Sequence, residues 1–160
     1  MGLGNPGVEY MGTRHSTGAM LVDKLSEKLQ SDYGWRRKKE MMVFETPKMT
    51  LIKSAEVFMN ESGRMVTYAD NLYVAHDDLD IKLGEYKIQF GKGPKNHGGI
   101  NSIEQRLRTS EFWRIRIGIE NRVLPTAGEV YVLQRFTSEE KNILDEVIER
   151  IIDEILKATN

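Results

Sequence analysis

At 160 residues the chain is long enough for one globular domain with its own core and short for two. It has no cysteine, which excludes disulfide staples, thiolate nucleophiles and thiolate metal sites and leaves oxygen, nitrogen and carboxylate chemistry. A net charge of −1 conceals a division: Lys82 to Arg122 carries nine Lys and Arg against four Glu, and Val123 to the end carries four basic residues against eight acidic ones, so a polyanion is expected to meet the middle of the chain and avoid its tail.

Gly2 to Gly7 spell G-x-G-x-x-G, with no strand before them and no helical spacing until after residue 16. A dinucleotide fingerprint needs both, so that amides at a helix N-terminus reach the pyrophosphate. The match is therefore read as accidental, and the loop supplies instead Asn5, an amide held where glycines and Pro6 tighten the backbone. Ser16 is expected to cap a helix to about Gln30, with Gly18, Val22, Leu25 and Leu29 on one face. Trp35 to Phe44 carries the run Arg36-Arg37-Lys38-Lys39; together with Met49 to Lys53, after the turn signal Thr46-Pro47, it reads as a hairpin or neighbouring strands. Glu56 to Ala69 has helical spacing at Phe58, Met65 and Val66 but contains Gly63. Leu72 to Ala75 has the length of a buried strand.

Gly84 to Phe90 and Trp113 to Ile119 alternate strictly, the second placing Trp113, Ile115, Ile117 and Ile119 opposite a polar face of Arg114 and Arg116. The stretch F-G-K-G-P-K-N-H-G-G-I-N-S-I leads from a strand into a helix from Ile100 to Arg108. Thr137 to Glu140 form a capping box before a long helix with the apolar stripe Ile143, Leu144, Val147, Ile148, Ile151, Ile155. Strands and helices interleave without repeats or a linker, which predicts a single α/β domain over residues 1–160, a twisted mixed β-sheet flanked by helices. No long apolar run and no signal-peptide pattern is present, so a soluble protein of the cytoplasm or an organellar matrix, without a membrane partner, is expected.

His15, His76 and His97 each lie in motif-like company. His15 precedes a helix and Asp77 follows a buried strand, where α/β folds gather functional groups. A carboxylate that accepts one imidazole N–H fixes the tautomer and makes the other nitrogen a general base for water. His15, His76, Asp77, Asp78, Asp80 and His97 offer enough ligands for a metal, but no tight pair such as H-x-x-x-H is present; Asp78 and Asp80 read more simply as carboxylates that accept backbone amides. A serine triad lacks its G-x-S-x-G elbow. In the glycine-rich stretch, Lys92, Lys95 and a helix start, with Arg114 and Arg116 nearby, favour a phosphate-bearing ligand.

G-L-G-N-P-G-x-x-Y, T-R-H-x-x-G, F-M-N-E-S-G at 58–63, H-D-D-L-D at 76–80, the loop ending H-G-G-I, F-W-R-I-R-I-G-I at 112–119 and Y-V-L-Q-R-F-T-S-E-E follow one another over residues 2 to about 156, and together they resemble the bacterial-type peptidyl-tRNA hydrolase family. The resemblance implies a metal-free esterase, without cofactor and acting as a monomer, that frees tRNA from a peptide joined to its 3′ ribose. It implies His15 as the base and Asp77 as its orienting carboxylate. Asn5 and Asn60 would hydrogen-bond the peptide backbone, Tyr10 and Phe58 would line the substrate path, and Lys95 and Arg116 would face the tRNA, Arg116 matching a basic residue associated with the 5′ phosphate. Three departures stand out. The family's H-N-G-L is His97-Gly98-Gly99-Ile100 here, so an amide of the substrate site is missing at Gly98, with Asn96 or Asn101 as its replacements; a basic residue expected in the strand before that loop is Gln89, leaving Lys87, Lys92 or Lys95 to complete a phosphate clamp; and Met1 stands where an apolar first strand is expected, which reads as a truncated strand and a weaker sheet. The alternative implied by Gly98 is a non-catalytic RNA-binding relative of splicing-factor type.

Overall fold

The computed structural model describes residues 1–29, 34–66 and 71–159. Arg36–Lys38 (β1), Met41–Glu45 (β2) and Thr50–Ser54 (β3) form an antiparallel unit in which Val43 faces Ile52 and Phe44 faces Leu51. The run expected from Trp35 to Phe44 is split by a turn at Lys39, whose φ of 57° no strand adopts. Tyr73–Lys82 (β4), Tyr86–Phe90 (β5) and Trp113–Glu120 (β6) form the second unit, ordered β4-β6-β5, with β6 parallel to β4 and antiparallel to β5. Residues 1–3 join the two: Gly2 N donates to Ile52 O (2.8 Å), Leu3 N to Ala75 O (2.9 Å) and Ala75 N to Met1 O (2.8 Å). Three residues thus occupy the slot in which the sequence leaves a strand wanting.

Helices cover both faces. On one, Thr17–Lys28 (α1) and Ser138–Ala158 (α4) pack Leu21, Leu25, Leu144, Val147 and Ile151 against Ala75, Ile115 and Ile117. On the other, Gly98–Leu107 (α2) and a 3-10 helix at Met59–Met65 bury Leu3, Val74, Ile100, Ile103 and Phe112. A short helix, Gly128–Tyr131 (α3), precedes α4. The capping box forms as expected, Thr137 Oγ1 accepting from Glu140 N (3.2 Å) and Glu140 Oε2 from Thr137 N (2.9 Å). Among the described residues no helix is long and apolar enough to cross a membrane.

Several expectations are corrected by this packing. The α-helix expected over Glu56 to Ala69 is the seven-residue 3-10 helix, pressed against α2: a Cβ on Gly63 would lie 2.4 Å from Ser102 O; residues 67–69 lie outside the described residues. The helix expected from Ile100 begins at Gly98; α1 reaches its cap at Leu29, and Gln30 lies outside the described residues. Ser16 occupies the N-cap position of α1, but its hydroxyl donates to Tyr10 O (2.8 Å) and not to the helix. Arg114 is not on a solvent face. Strand β6 is central and covered on both sides, so Arg114 is 2% exposed, its guanidinium donating to Gly93 O (2.5 Å), Glu104 Oε1 (2.5 Å) and Ser110 O (3.3 Å).

Gly18 sets the distance between helix and sheet. A Cβ there would stand 2.1 Å from Ala75 O and 2.6 Å from Leu3 N, so only glycine lets α1 lie this close to β4. The approach brings His15, one turn earlier in the chain, towards Asp77, two residues beyond Ala75. Gly18→Ala is expected to cost about 1–3 kcal/mol, read from the urea midpoint, because backbone must move to admit the methyl group; an unchanged midpoint would show that the close approach is dispensable.

Candidate active site

Asp77 does not follow a strand but lies inside one. The apolar run stops at Ala75, yet β4 continues to Lys82 because its buried polar groups find partners. Asp78 accepts from Asp80 N (2.8 Å) and from Arg116 Nε (2.7 Å), and Asp80 Oδ2 from Lys95 N (3.4 Å), the carboxylate roles expected of both. Asp77, 2% exposed, lies 3.0 and 3.1 Å through its two oxygens from His15 Nδ1.

His15 sits in a 3-10 turn, Arg14–Ser16, fixed from outside the site. His15 N donates to Val132 O (2.8 Å), and the buried Arg14 guanidinium spans both oxygens of Glu140 (2.7 and 2.6 Å) and donates to Arg135 O (2.7 Å). With Nδ1 on Asp77, His15 Nε2 has no partner among the described residues, and His15 lines the cleft. Burial works against the charged imidazole, but the charge and hydrogen bond of Asp77 outweigh it and hold His15 above the ordinary histidine value. Burial on its own would raise Asp77; the two imidazoles, His97 and His15, outweigh it and hold the carboxyl well below the usual carboxylate range.

His97, which the sequence places in motif-like company without a role of its own, also meets Asp77. It caps α2 with its side chain: Nδ1 accepts from Gly99 N (3.1 Å) and Ile100 N (3.4 Å). The ring proton is therefore on Nε2, which donates to Asp77 Oδ1 at 3.0 Å. The signal was present in a histidine immediately before the glycines that open a helix. His76, by contrast, is fully buried with Nδ1 on Asp77 O (2.8 Å), and burial, with His97 beside it, pushes it down to about 3.

His15, Asp77 and His97 are the one group among the described residues close enough to share a metal ion, their ligand atoms lying within 4.8 Å of one another. The donor set does not fit one. His97 Nε2 carries a proton because Nδ1 is already taken by two amides, which leaves two ligands where catalytic zinc takes three from the protein.

A cleft of about 770 Å³ opens beside this cluster and is lined by His15, Asp77, Asn5, Phe58, Asn60, Lys95 and Gly98, among the residues that the family resemblance brings to the substrate site, but not by Tyr10 or Arg116. Asn5 Oδ1 accepts from Met59 N (2.8 Å), which turns its amino group away from that bond. Asn60 is exposed at the cleft with no side-chain partner among the described residues. Tyr10 is not on the cleft surface but meets Phe58 edge-on, ring centroids 6.1 Å apart. Lys95 is exposed and pairs with Asp80 at 3.5 Å. Arg116 stands behind the cleft, its guanidinium engaged by Asp78 and by Gln89 Oε1 (2.7 Å), so Gln89 receives Arg116 where a second cation was expected.

The model of the family described as "Peptidyl-tRNA hydrolase" matches residues 1–160. The peptidyl-tRNA hydrolase of Caldanaerobacter subterraneus is 38% identical, the match covering 97% of this chain and 89% of that protein. That of Desulfitobacterium hafniense is 37% identical over 93% of this chain and 85% of the relative. The crystal structure of peptidyl-tRNA hydrolase from Acinetobacter baumannii superposes with a TM-score of 0.79 at 27% identity, covering 99% of this chain and 90% of that one. Fold and sequence agree along nearly the whole length: the chain belongs to the peptidyl-tRNA hydrolase family.

Proposed function

We propose that the chain hydrolyses the ester between a peptide C-terminus and the 3′ ribose of tRNA by histidine-promoted attack of water. His15 Nε2 takes a proton from water, whose oxygen adds to the ester carbonyl carbon. The tetrahedral intermediate expels the ribose oxygen, which receives the proton back from His15; the products are a peptide acid, which ionises, and tRNA with a free hydroxyl. Asp77 holds Nδ1–H and stabilises the imidazolium, and His97 holds Asp77. Asn5 and Asn60 donate to the peptide backbone, and Phe58, backed by Tyr10, forms an aromatic wall for it. Lys95 is the exposed cation for the tRNA end, with the charge of Arg116 behind it. The reaction is written without a cofactor, for a monomer working in the cytoplasm.

The observation that carries this reading is the 3.0 Å contact between His15 Nδ1 and the buried Asp77, with Nε2 left for the cleft. The alternative of a non-catalytic RNA binder has no support among the relatives above, which carry the enzyme's name. The test compares N-acetyl-aminoacyl-tRNA with the unblocked ester. The blocked substrate is expected to turn over at least about 100-fold faster in kcat/KM, because a free amine cannot satisfy donors set for an amide. Equal rates would remove the amide contacts from the reading, and no turnover would remove the hydrolase.

A further inference from the structure

Besides Asn5 and Asn60 the cleft holds a third carboxamide, Asn96, in the residue before His97. Its Oδ1 accepts from Asn101 Nδ2 on the first turn of α2 (3.3 Å), and its amino group has no partner among the described residues. Asn5 is held in the same sense, its oxygen tied to Met59 N. In both, the acceptor end is fixed to the protein and the donor end is left for the cleft.

The backbone of Asn96 is fixed through its neighbour. His97, next in the chain, is anchored on Asp77 at 3.0 Å, and consecutive Cα atoms lie about 3.8 Å apart. On the other side of His97, Gly98 carries no side chain, and a Cβ there would make only ordinary van der Waals contact, with Asn60 Cα and Cβ at 3.9 Å. No side chain of residue 98 stands between the Asn96 amide and a substrate beside His15.

We propose that Asn96 is a substrate-positioning residue that donates an amide N–H to a carbonyl oxygen of the peptidyl moiety, beside Gly98. The inference rests on the hydrolase reading and adds a residue to it. An uncharged donor beside two other cleft carboxamides suits neutral peptide carbonyls, whereas phosphate oxygens are drawn to the exposed ammonium of Lys95 next to it.

The test measures kcat/KM on N-acetyl-aminoacyl-tRNA for the parent, Asn96→Ala, Asn96→Asp and the double variant Asn96→Ala/Gly98→Asn, with the unfolding midpoint of each. Asn96→Ala is expected to lose about 10- to 100-fold. Asn96→Asp, which keeps the acceptor for Asn101 and loses the donor, is expected to lose at least as much. Gly98→Asn in the Asn96→Ala background is expected to restore most of the activity, since a Cβ at residue 98 clashes with nothing and its amide would start beside Asn60. All are expected to unfold with the parent, because both positions are exposed. Asn96→Ala within threefold of the parent, Asn96→Asp at parental activity, or no restoration by Gly98→Asn would each overturn the proposal. A parent active in a His15-dependent way would leave the hydrolase standing in any of those cases; an inactive parent would overturn both.

Discussion

His15→Ala is expected to lower kcat about 10²- to 10⁴-fold and leave KM within a factor of a few, measured as peptide release from N-acetyl-aminoacyl-tRNA. The split follows from what the imidazole touches. Its Nδ1 is engaged by Asp77, which leaves Nε2 for the cleft, and in the proposed mechanism Nε2 acts on water and not on the bound peptide or tRNA. In the proposed reaction the binding contacts reside elsewhere, on Asn5, Asn60 and Lys95. The turn carrying His15 is held by main chain and by the Arg14–Glu140 pair, neither of which depends on the imidazole, so the variant keeps its fold. A variant within tenfold of the parent, or one that loses only KM, would take proton transfer away from His15.

Asp77→Asn is expected to cost a similar factor, about 10²- to 10⁴-fold in kcat, by a different route. Both donors, His15 Nδ1 and His97 Nε2, converge on Oδ1, which asparagine can supply. The amide nitrogen then takes the place of Oδ2, 3.1 Å from His15 Nδ1, and faces an N–H with an N–H. His15 escapes by moving its proton to Nε2, which removes the lone pair that should take a proton from water. The pH profile separates this from simple loss of structure. In the parent, kcat rises as His15 deprotonates, through a pKa that Asp77 holds above the ordinary value of about 6.5. Without the carboxylate the imidazolium is less stabilised, the pKa falls, and the rising limb moves to lower pH while the plateau drops. A limb that stays in place would show that Asp77 does not set the basicity of His15. Stability follows the opposite group: the depressed Asp77 contributes above its unfolded value of 3.8, and that contribution is lost as the pH falls below it.

Much of the fold was legible where a local rule and the tertiary packing agree. The Thr137/Glu140 capping box announces α4, and strict alternation announces β5 and β6. The pairing of His15 with Asp77 was legible because chemistry restricts which groups suit water attack. What was not legible depends on neighbours remote in sequence. Alternation shows that Arg114 and Ile115 face opposite ways but not that α2 and the glycine-rich loop cover the arginine's side as well. The end of an apolar run at Ala75 looks like the end of a strand unless it is known that two imidazoles and Arg116 satisfy the acids that follow. The helical spacing over residues 56–66 gives no sign that Gly63 must lie against Ser102, which holds the segment in a tighter 3-10 path. The three-residue link at Met1–Leu3 is too short to carry any periodicity of its own.

The clasp formed by the first turn of α2, His97 and Asp77 ties helix fraying to competence. The Gly99 and Ile100 amides belong to the class that is normally the first in a helix to exchange with deuterium, yet here an imidazole occupies them. Whatever loosens that turn, whether mild heat, denaturant or a distant substitution, also releases the acid. With Asp77 in the role proposed for it, catalytic failure is expected to precede global melting, and the exchange of two backbone protons becomes a clock for it.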